Sequence, residues 1–270
     1  MTGARRSWIV VPATAGAIAV AVLLLADHDA DGGSGCRMLL IPAYIPADAV
    51  RELARTVRPA LIVINPASGP GTEADDAYRK AVRSVQHAGG RVLGYVPTGY
   101  GTRDRREVTA DIDRYASWYG TDGVFLDEAA AAPSQLPYYR ELAAHVRGSG
   151  KQLVVLNPGI VPDRAYFDVA DVVVTFEGPF ERYAAARDDA PAWVSELGGD
   201  RVAVLVYGAS SDQAAEVIAD AKGAGYVYVT SGALPHPWGA VPAYLQRETG
   251  LLDGCGAAAP TTNASLEVAP

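Results

Sequence analysis

Asp127, Glu128 and Glu177 are carboxylates that close two apolar runs, Gly123-Val124-Phe125-Leu126-Asp127 and the stretch from Asp171 to Glu177. Two carboxyl groups flanking one bond can cleave a glycosidic link. One gives a proton to the leaving oxygen, and the other attacks or stabilises an oxocarbenium-like carbon. A further carboxylate nearby helps keep the donor protonated, because like charges raise a pKa. At or beside the ends of other apolar runs stand Tyr44, Asn65, Tyr95, Tyr100, Asn157, Tyr207 and Trp238. Aromatic faces pack against sugar rings, and Asn and Tyr groups read hydroxyls, so these seven are candidate substrate-binding residues. Asp127 and Glu128 are neighbours, and a regular strand would point them to opposite faces unless it ends between them. Taken singly, each acid also suits a strand-end ion pair or a helix cap. An Asp/Glu group can also hold a hard cation such as Ca²⁺. Of the four histidines only His236 stands near a strand end, and there is no G-x-S-x-G elbow, so no metal and no cofactor are expected.

The elements that must position these residues repeat as strand, loop and helix. Eight short apolar runs bounded by Gly, Pro or Asn predict strands. They span Met38–Tyr44, Ala60–Asn65, Arg91–Val96, Gly123–Asp127, Gln152–Asn157, Asp171–Glu177, Arg201–Tyr207 and Tyr226–Thr230. Helical spacing of apolar residues predicts helices over Asp75–Ala88, Arg106–Tyr119 and Ser211–Ala224, the last behind a Ser-Ser-Asp cap. Near-continuously apolar strands alternating with helices imply a parallel sheet covered on its outer face. At about 27 residues per unit, the fold class expected is α/β, a single compact (β/α)8 TIM barrel. An open doubly wound sheet is the alternative. Gly69-Pro70-Gly71 follows the second strand but does not match G-x-G-x-x-G. In a barrel the strand C-termini carry the chemistry, and that is where the polar residues gather.

The chain of 270 residues carries 23 Lys+Arg against 31 Asp+Glu, a formal net charge of −8. With no Lys/Arg-dense stretch to neutralise phosphates, nucleic acid is excluded as a partner. Residues 1–36 form a separate piece: Arg5 and Arg6, an apolar run from Trp8 to Ala26, then Asp27, Asp29 and Asp31. That order fits an export signal, either cleaved or retained as an N-terminal anchor tethering the chain through residues 8–26. Expected domains are therefore 1–36 as signal or anchor plus linker, 37–255 as the barrel, and 256–270 as an unstructured tail. The expected location is secreted or on the extracellular face of the cell membrane, and the barrel is expected to act as a monomer. Cys36 and Cys255 bound the barrel, whose first and last units are neighbours. In an oxidising setting a disulfide would tie the termini, the alternative being two unpaired thiols.

Several segments together resemble the spherulin-4, or spherulation-specific family 4, proteins. They are Leu40-Ile41-Pro42-Ala43-Tyr44, Ile64-Asn65-Pro66-Ala67-Ser68-Gly69-Pro70-Gly71 and Gly94-Tyr95-Val96-Pro97-Thr98-Gly99-Tyr100-Gly101, followed by Asp111-Ile112-Asp113-Arg114-Tyr115, Gly123-Val124-Phe125-Leu126-Asp127-Glu128 and Val173-Val174-Thr175-Phe176-Glu177-Gly178. The resemblance covers residues 38–250 and implies a (β/α)8 glycoside hydrolase. Characterised fungal relatives act on a galactosamine-containing exopolysaccharide of the biofilm matrix, so the implied partner is a polysaccharide containing galactosamine or N-acetylgalactosamine, attacked internally. By likeness to related endo-galactosaminidases, Asp127 would be the nucleophile and Glu177 the general acid/base, with Glu128 orienting or tuning them. A non-catalytic carbohydrate-binding barrel at the cell surface is the alternative.

Overall fold

The computed structural model describes residues 37–252 apart from 58, 59, 149, 151 and 222. The expectations for Cys36, Cys255, residues 1–36 and the tail 256–270 lie outside the described residues. Among the described residues no helix is long and apolar enough to cross a membrane.

Eight parallel strands close into a barrel in chain order. They are β1 (Met38–Ala43), β2 (Ala60–Ile64), β3 (Arg91–Pro97), β4 (Gly123–Asp127), β5 (Leu153–Leu156), β6 (Val172–Pro179), β7 (Val202–Tyr207) and β8 (Tyr226–Val229). Each apolar run of the sequence becomes one strand, with ends moved by no more than two residues. Burial on both faces is the reason: inward side chains fill the barrel and outward ones lie under helices, so the runs do not alternate. All of β2 is buried. The ladders differ in length. β6 and β7 share six register pairs, whereas β1–β8 and β5–β6 share two each.

The outer layer comprises α1 (Ala47–Thr56), α2 (Asp76–His87), α3 (Arg105–Arg114), α4 (Leu136–Gly148), α5 (Phe180–Asp188), α6 (Ser211–Asp220) and α7 (Leu245–Leu252). The Asp75 side chain caps α2 by accepting from the N–H groups of Ala77 and Tyr78. Ser210 and Gln213 form a reciprocal capping box on α6. The helix expected over Arg106–Tyr119 leaves α geometry at Tyr115 and passes into a π turn, Tyr115–Tyr119. That turn buries both tyrosines, and the Tyr115 ring lies so close over Gly94 that a Cβ there would sit 2.2 Å from it. One unit departs from strict strand–helix alternation. Between β5 and β6 there is no α-helix, only a 3₁₀ turn at Arg164–Asp168. Pro158 and Pro162 interrupt that short link, and each removes a donor that a helix would need.

Glu248 on α7 is a carboxyl group buried to 1% exposure with no well-formed hydrogen bond to either oxygen, the Val229 backbone making only a weak approach. Burial raises its pKa from 4.5 to about 8, and the backbone of Val229 only partly offsets this. The folded state therefore binds this proton more tightly than the unfolded chain. Its contribution to stability is complete below pH 4.5 and is lost as pH rises through about 8. Each pKa unit corresponds to about 1.4 kcal/mol, so ionising Glu248 costs on the order of a few kcal/mol. The Glu248→Gln variant is expected to melt several degrees above the wild type at pH 9 and close to it at pH 5. Equal differences at both pH values in thermal denaturation would contradict this assignment.

Candidate active site

At the C-terminal ends of the strands lies an open cleft of about 470 Å³. Asp127, Glu128 and Glu177 all line it, together with Tyr44, Tyr100, Asn157, Tyr207 and Trp238. Two local irregularities bring the acids together.

The first is in β6. A register shift between Val174 and Phe176 inserts one extra residue, Thr175, into the ladder with β7. Val174 stands opposite Ala203 and Glu177 opposite Leu205. Ala203 and Leu205 are two apart in a regular strand and share a face, so Val174 and Glu177 do too. A strand alternating without the bulge would turn Glu177 outward, into the helix layer. The bulge aims it into the cleft.

The second is at the end of β4. Asp127 is its last residue, and Glu128 has φ 49°, in the left-handed region. The pleat stops between the two acids, so both line the cleft despite being adjacent. Buried groups hold this turn. The Thr98 hydroxyl lies 2.9 Å from the Asp127 carbonyl oxygen, 2.8 Å from that of Glu128 and 2.9 Å from the Tyr139 hydroxyl. Tyr139 in turn accepts the Ala130 N–H at 2.8 Å, and Thr98 and Tyr139 are both fully buried. Sequence reasoning passed over these two residues. Thr98 stands directly after β3 and carried a signal as a polar residue at a strand end, but Tyr139 lies on α4 and carried none.

Asn157, just after β5, ties the acids to each other. Its Nδ2 donates to Asp127 Oδ1 at 2.7 Å and to Glu177 Oε2 at 2.5 Å, and its Oδ1 accepts from the Gly159 N–H at 3.1 Å. One nitrogen at these distances from both carboxylates places their facing oxygens no more than about 5 Å apart. Trp238 Nε1 donates to the other Glu177 oxygen, Oε1, at 3.2 Å. The Tyr95 hydroxyl faces Asp127 and favours its ionised form.

Burial is the largest influence on both acids. It raises the Asp127 pKa, with support from the Glu128 charge, against the hydrogen bonds from the Glu128 backbone, Asn157 and Tyr95. Glu177 is pushed from 4.5 to about 7, first by burial and then by the Asp127 charge, while Asn157 and Trp238 pull the other way. The arrangement keeps one carboxyl protonated near neutral pH beside a second that ionises more readily. That is the division of labour an acid and a nucleophile require.

The other expected residues fall into two groups. Tyr44 packs edge-on against Tyr95 at 5.2 Å between centroids, and Tyr207 against Trp238 at 6.1 Å. Tyr100, at φ 55°, stands 61% exposed on the cleft rim. Asn65 does not line the cleft. Its Oδ1 accepts the Gly69 N–H at 2.8 Å, so it braces the loop after β2. Tyr95 is half-buried, facing Asp127 and packed on Tyr44, and is not among the residues that line the cleft. The Asn157 amide, expected on sugar hydroxyls, is engaged by the carboxylates, and Trp238, expected to pack its ring on a sugar, donates its Nε1–H to Glu177. Among the described residues no group of three His, Cys, Asp or Glu side chains is placed to hold a metal ion.

Comparison with known proteins follows this geometry. The family model described as spherulation-specific family 4 matches residues 40–251. Spherulin-4 of Physarum polycephalum is 35% identical over 210 residues, which is 72% of this chain and 63% of the relative, so the chain spans less than two thirds of that protein's length. Among solved structures, the Sph3 protein of Aspergillus clavatus, crystallised in complex with GalNAc, superposes with a TM-score of 0.70 at 24% identity, covering 81% of this chain and 98% of that one. A chitinase from Chromobacterium violaceum superposes with a TM-score of 0.52 at 10% identity, covering 79% of this chain and 98% of the other. These two likenesses show the fold.

Proposed function

Because the chain belongs to the spherulation-specific family 4, and because its cleft joins two carboxylates through one amide, we propose that it is a retaining glycoside hydrolase that cuts internally a polysaccharide containing galactosamine or N-acetylgalactosamine. The observation that carries this reading is the Asn157 bridge, which holds the facing oxygens of Asp127 and Glu177 within about 5 Å of each other. Carboxyl groups about 5 Å apart leave no room for a water between the second carboxylate and the sugar, so that carboxylate attacks directly; inverting enzymes need roughly 6.5–9.5 Å.

In this mechanism the Asp127 carboxylate attacks the anomeric carbon as Glu177 gives its proton to the departing glycosidic oxygen. The bond from carbon to that oxygen breaks, and a glycosyl ester on Asp127 forms. Glu177, now ionised, takes a proton from water, whose oxygen displaces Asp127 and restores both side chains. Trp238 and Asn157 hold the Glu177 carboxyl in place, and Asn157 and Tyr95 hold that of Asp127. The exposed Glu128 adds negative charge at the cleft, which suits an amino sugar that has lost its acetyl group and become cationic. The GalNAc bound by the Aspergillus clavatus relative supports the substrate class. The basic, apolar and acidic order of residues 1–36 supports an exported protein acting outside the cell.

The test is digestion of a panel of amino-sugar polymers by the full chain, with reducing ends measured and the first-formed anomer read by NMR. Cleavage of the galactosamine polymer with retained configuration supports the proposal. Polymer binding with no reducing ends released would instead establish the non-catalytic reading, and an inverted first product would overturn the nucleophile. The pH dependence of kcat/KM is expected to be bell-shaped. Its alkaline limb should fall near pH 7 as Glu177 loses its proton, and its acid limb should lie above the ordinary aspartate value because burial raises the Asp127 pKa. A rate that stays flat from pH 6 to 9 would contradict the acid role of Glu177.

A further inference from the structure

A second cavity, of about 410 Å³, opens off the cleft between β6 and α5. It shares Gly159, Ile160, Glu177 and Tyr207 with the cleft, so the two cavities adjoin at Glu177. Beyond Glu177 it runs past Gly178 and Pro179 to Arg182, Ala186 and Asp189. Arg182 and Asp189 are exposed, and neither forms an ion pair among the described residues. Most of the other surface arginines are held: Arg187, five residues beyond Arg182 on α5, pairs with both Asp188 and Asp220.

The asymmetry of the trough assigns its direction. The cleft touches both Asp127 and Glu177, whereas the second cavity touches Glu177 and not Asp127. A nucleophile contacts the anomeric carbon of the sugar that stays on the enzyme. A proton donor contacts the bridging oxygen, whose other substituent is the sugar that leaves. The leaving portion of the chain must therefore lie where the donor is met and the nucleophile is not.

Resting on the hydrolase reading above, we infer that the β6–α5 trough is the leaving-group half of the substrate site. Arg182 and Asp189 are the polar groups that engage the sugars released at their new non-reducing end. Tyr207, at the junction, offers an aromatic face on which the first of those sugars packs. Asp189 suits a hydroxyl or a protonated amino group, and the Arg182 guanidinium suits hydroxyl and acetamido oxygens. The trough also accounts for internal cleavage, since a chain can occupy both sides of the scissile bond at once.

The experiment compares two substrates across wild type, Arg182→Ala, Asp189→Ala and Ala186→Trp, all in the full chain. One substrate is a partly deacetylated N-acetylgalactosamine polymer. The other is the 4-nitrophenyl glycoside of an N-acetylgalactosamine trisaccharide, whose nitrophenolate departs without a sugar in the trough. The expected result is that Ala186→Trp, which fills the trough, lowers kcat/KM on the polymer by about tenfold or more. The two alanine variants should raise KM on the polymer by about three- to tenfold, because they remove binding shared by ground and transition states. All three should stay within about twofold of wild type on the aryl substrate, which also shows that they fold. Equal losses on both substrates, or polymer turnover unchanged in all three, would overturn the inference. Failure of the hydrolase reading is seen separately, in a wild-type arm that cleaves neither substrate.

Discussion

Asp127→Asn is expected to lose polymer cleavage by on the order of 10³-fold or more while keeping its fold and its affinity for the polymer. The replacement is isosteric, and its side-chain oxygen can still accept the Asn157 amide that Oδ1 accepts in the native protein at 2.7 Å. What it removes is the charge that, in the proposed mechanism, forms the bond to the anomeric carbon. Because burial already opposes that charge, the variant should be no less stable than the native chain, and its melting temperature serves as the control. Reducing-end release and polymer binding, measured on the same preparation, then separate loss of chemistry from loss of structure. Undiminished cleavage would remove Asp127 from the mechanism.

Glu177→Gln is expected to fail differently. Proton donation contributes about 10²- to 10⁴-fold, and it matters most when the leaving oxygen is basic, as a sugar hydroxyl is. The variant should therefore lose polymer turnover by that factor and yet form the glycosyl ester from a 4-nitrophenyl oligosaccharide, since nitrophenolate needs little protonation. The second step still lacks its base, so the release of nitrophenol should show a burst followed by a slow steady state. The alkaline limb near pH 7 should also vanish, because Glu177 is the group that titrates there. Stopped-flow absorbance and a pH profile check both points. A burst on the aryl substrate slowed as much as polymer turnover would sink the acid assignment. Gln can still accept from Trp238 Nε1, which helps keep the pocket in place.

Much of the frame was legible in the sequence, for a physical reason. Barrel strands are buried on both sides, so they stand out as short apolar runs between turn residues, and the eight runs became β1 to β8. Asp127 and Glu177 were legible because a carboxylate ending such a run is costly unless it is used or paired. What escaped has no compositional signature. The bulge at Thr175 is a matter of register, and without it Glu177 would have the wrong parity. The left-handed turn at Glu128 is a matter of torsion. Asn157 read as a sugar-binding group because the sequence gives its position but not the meeting of three strand ends above it. Asn65 differs in its surroundings. It ends an apolar run as the site residues do, but the Ser-Gly that follows makes it a turn-former, and its side chain is spent on the Gly69 N–H. The π turn at Tyr115 and the missing helix between β5 and β6 were likewise invisible to apolar spacing, which reports that a segment packs but not how its turns are wound.

The two short ladders have a consequence for motion. With only two register pairs at β1–β8 and two at β5–β6, the ring is made of two arcs, β1–β5 and β6–β8, joined at thin seams. Amide protons flanking those seams should exchange with solvent sooner than those of the six-pair β6–β7 ladder, since local opening follows the weakest cooperative contacts. Asp127 belongs to one arc and Glu177 to the other. The gap between the two acids is thus not a property of either arc. It is set across a joint, and the Asn157 amide, rooted beside that joint, is the clasp that ties one arc's acid to the other's.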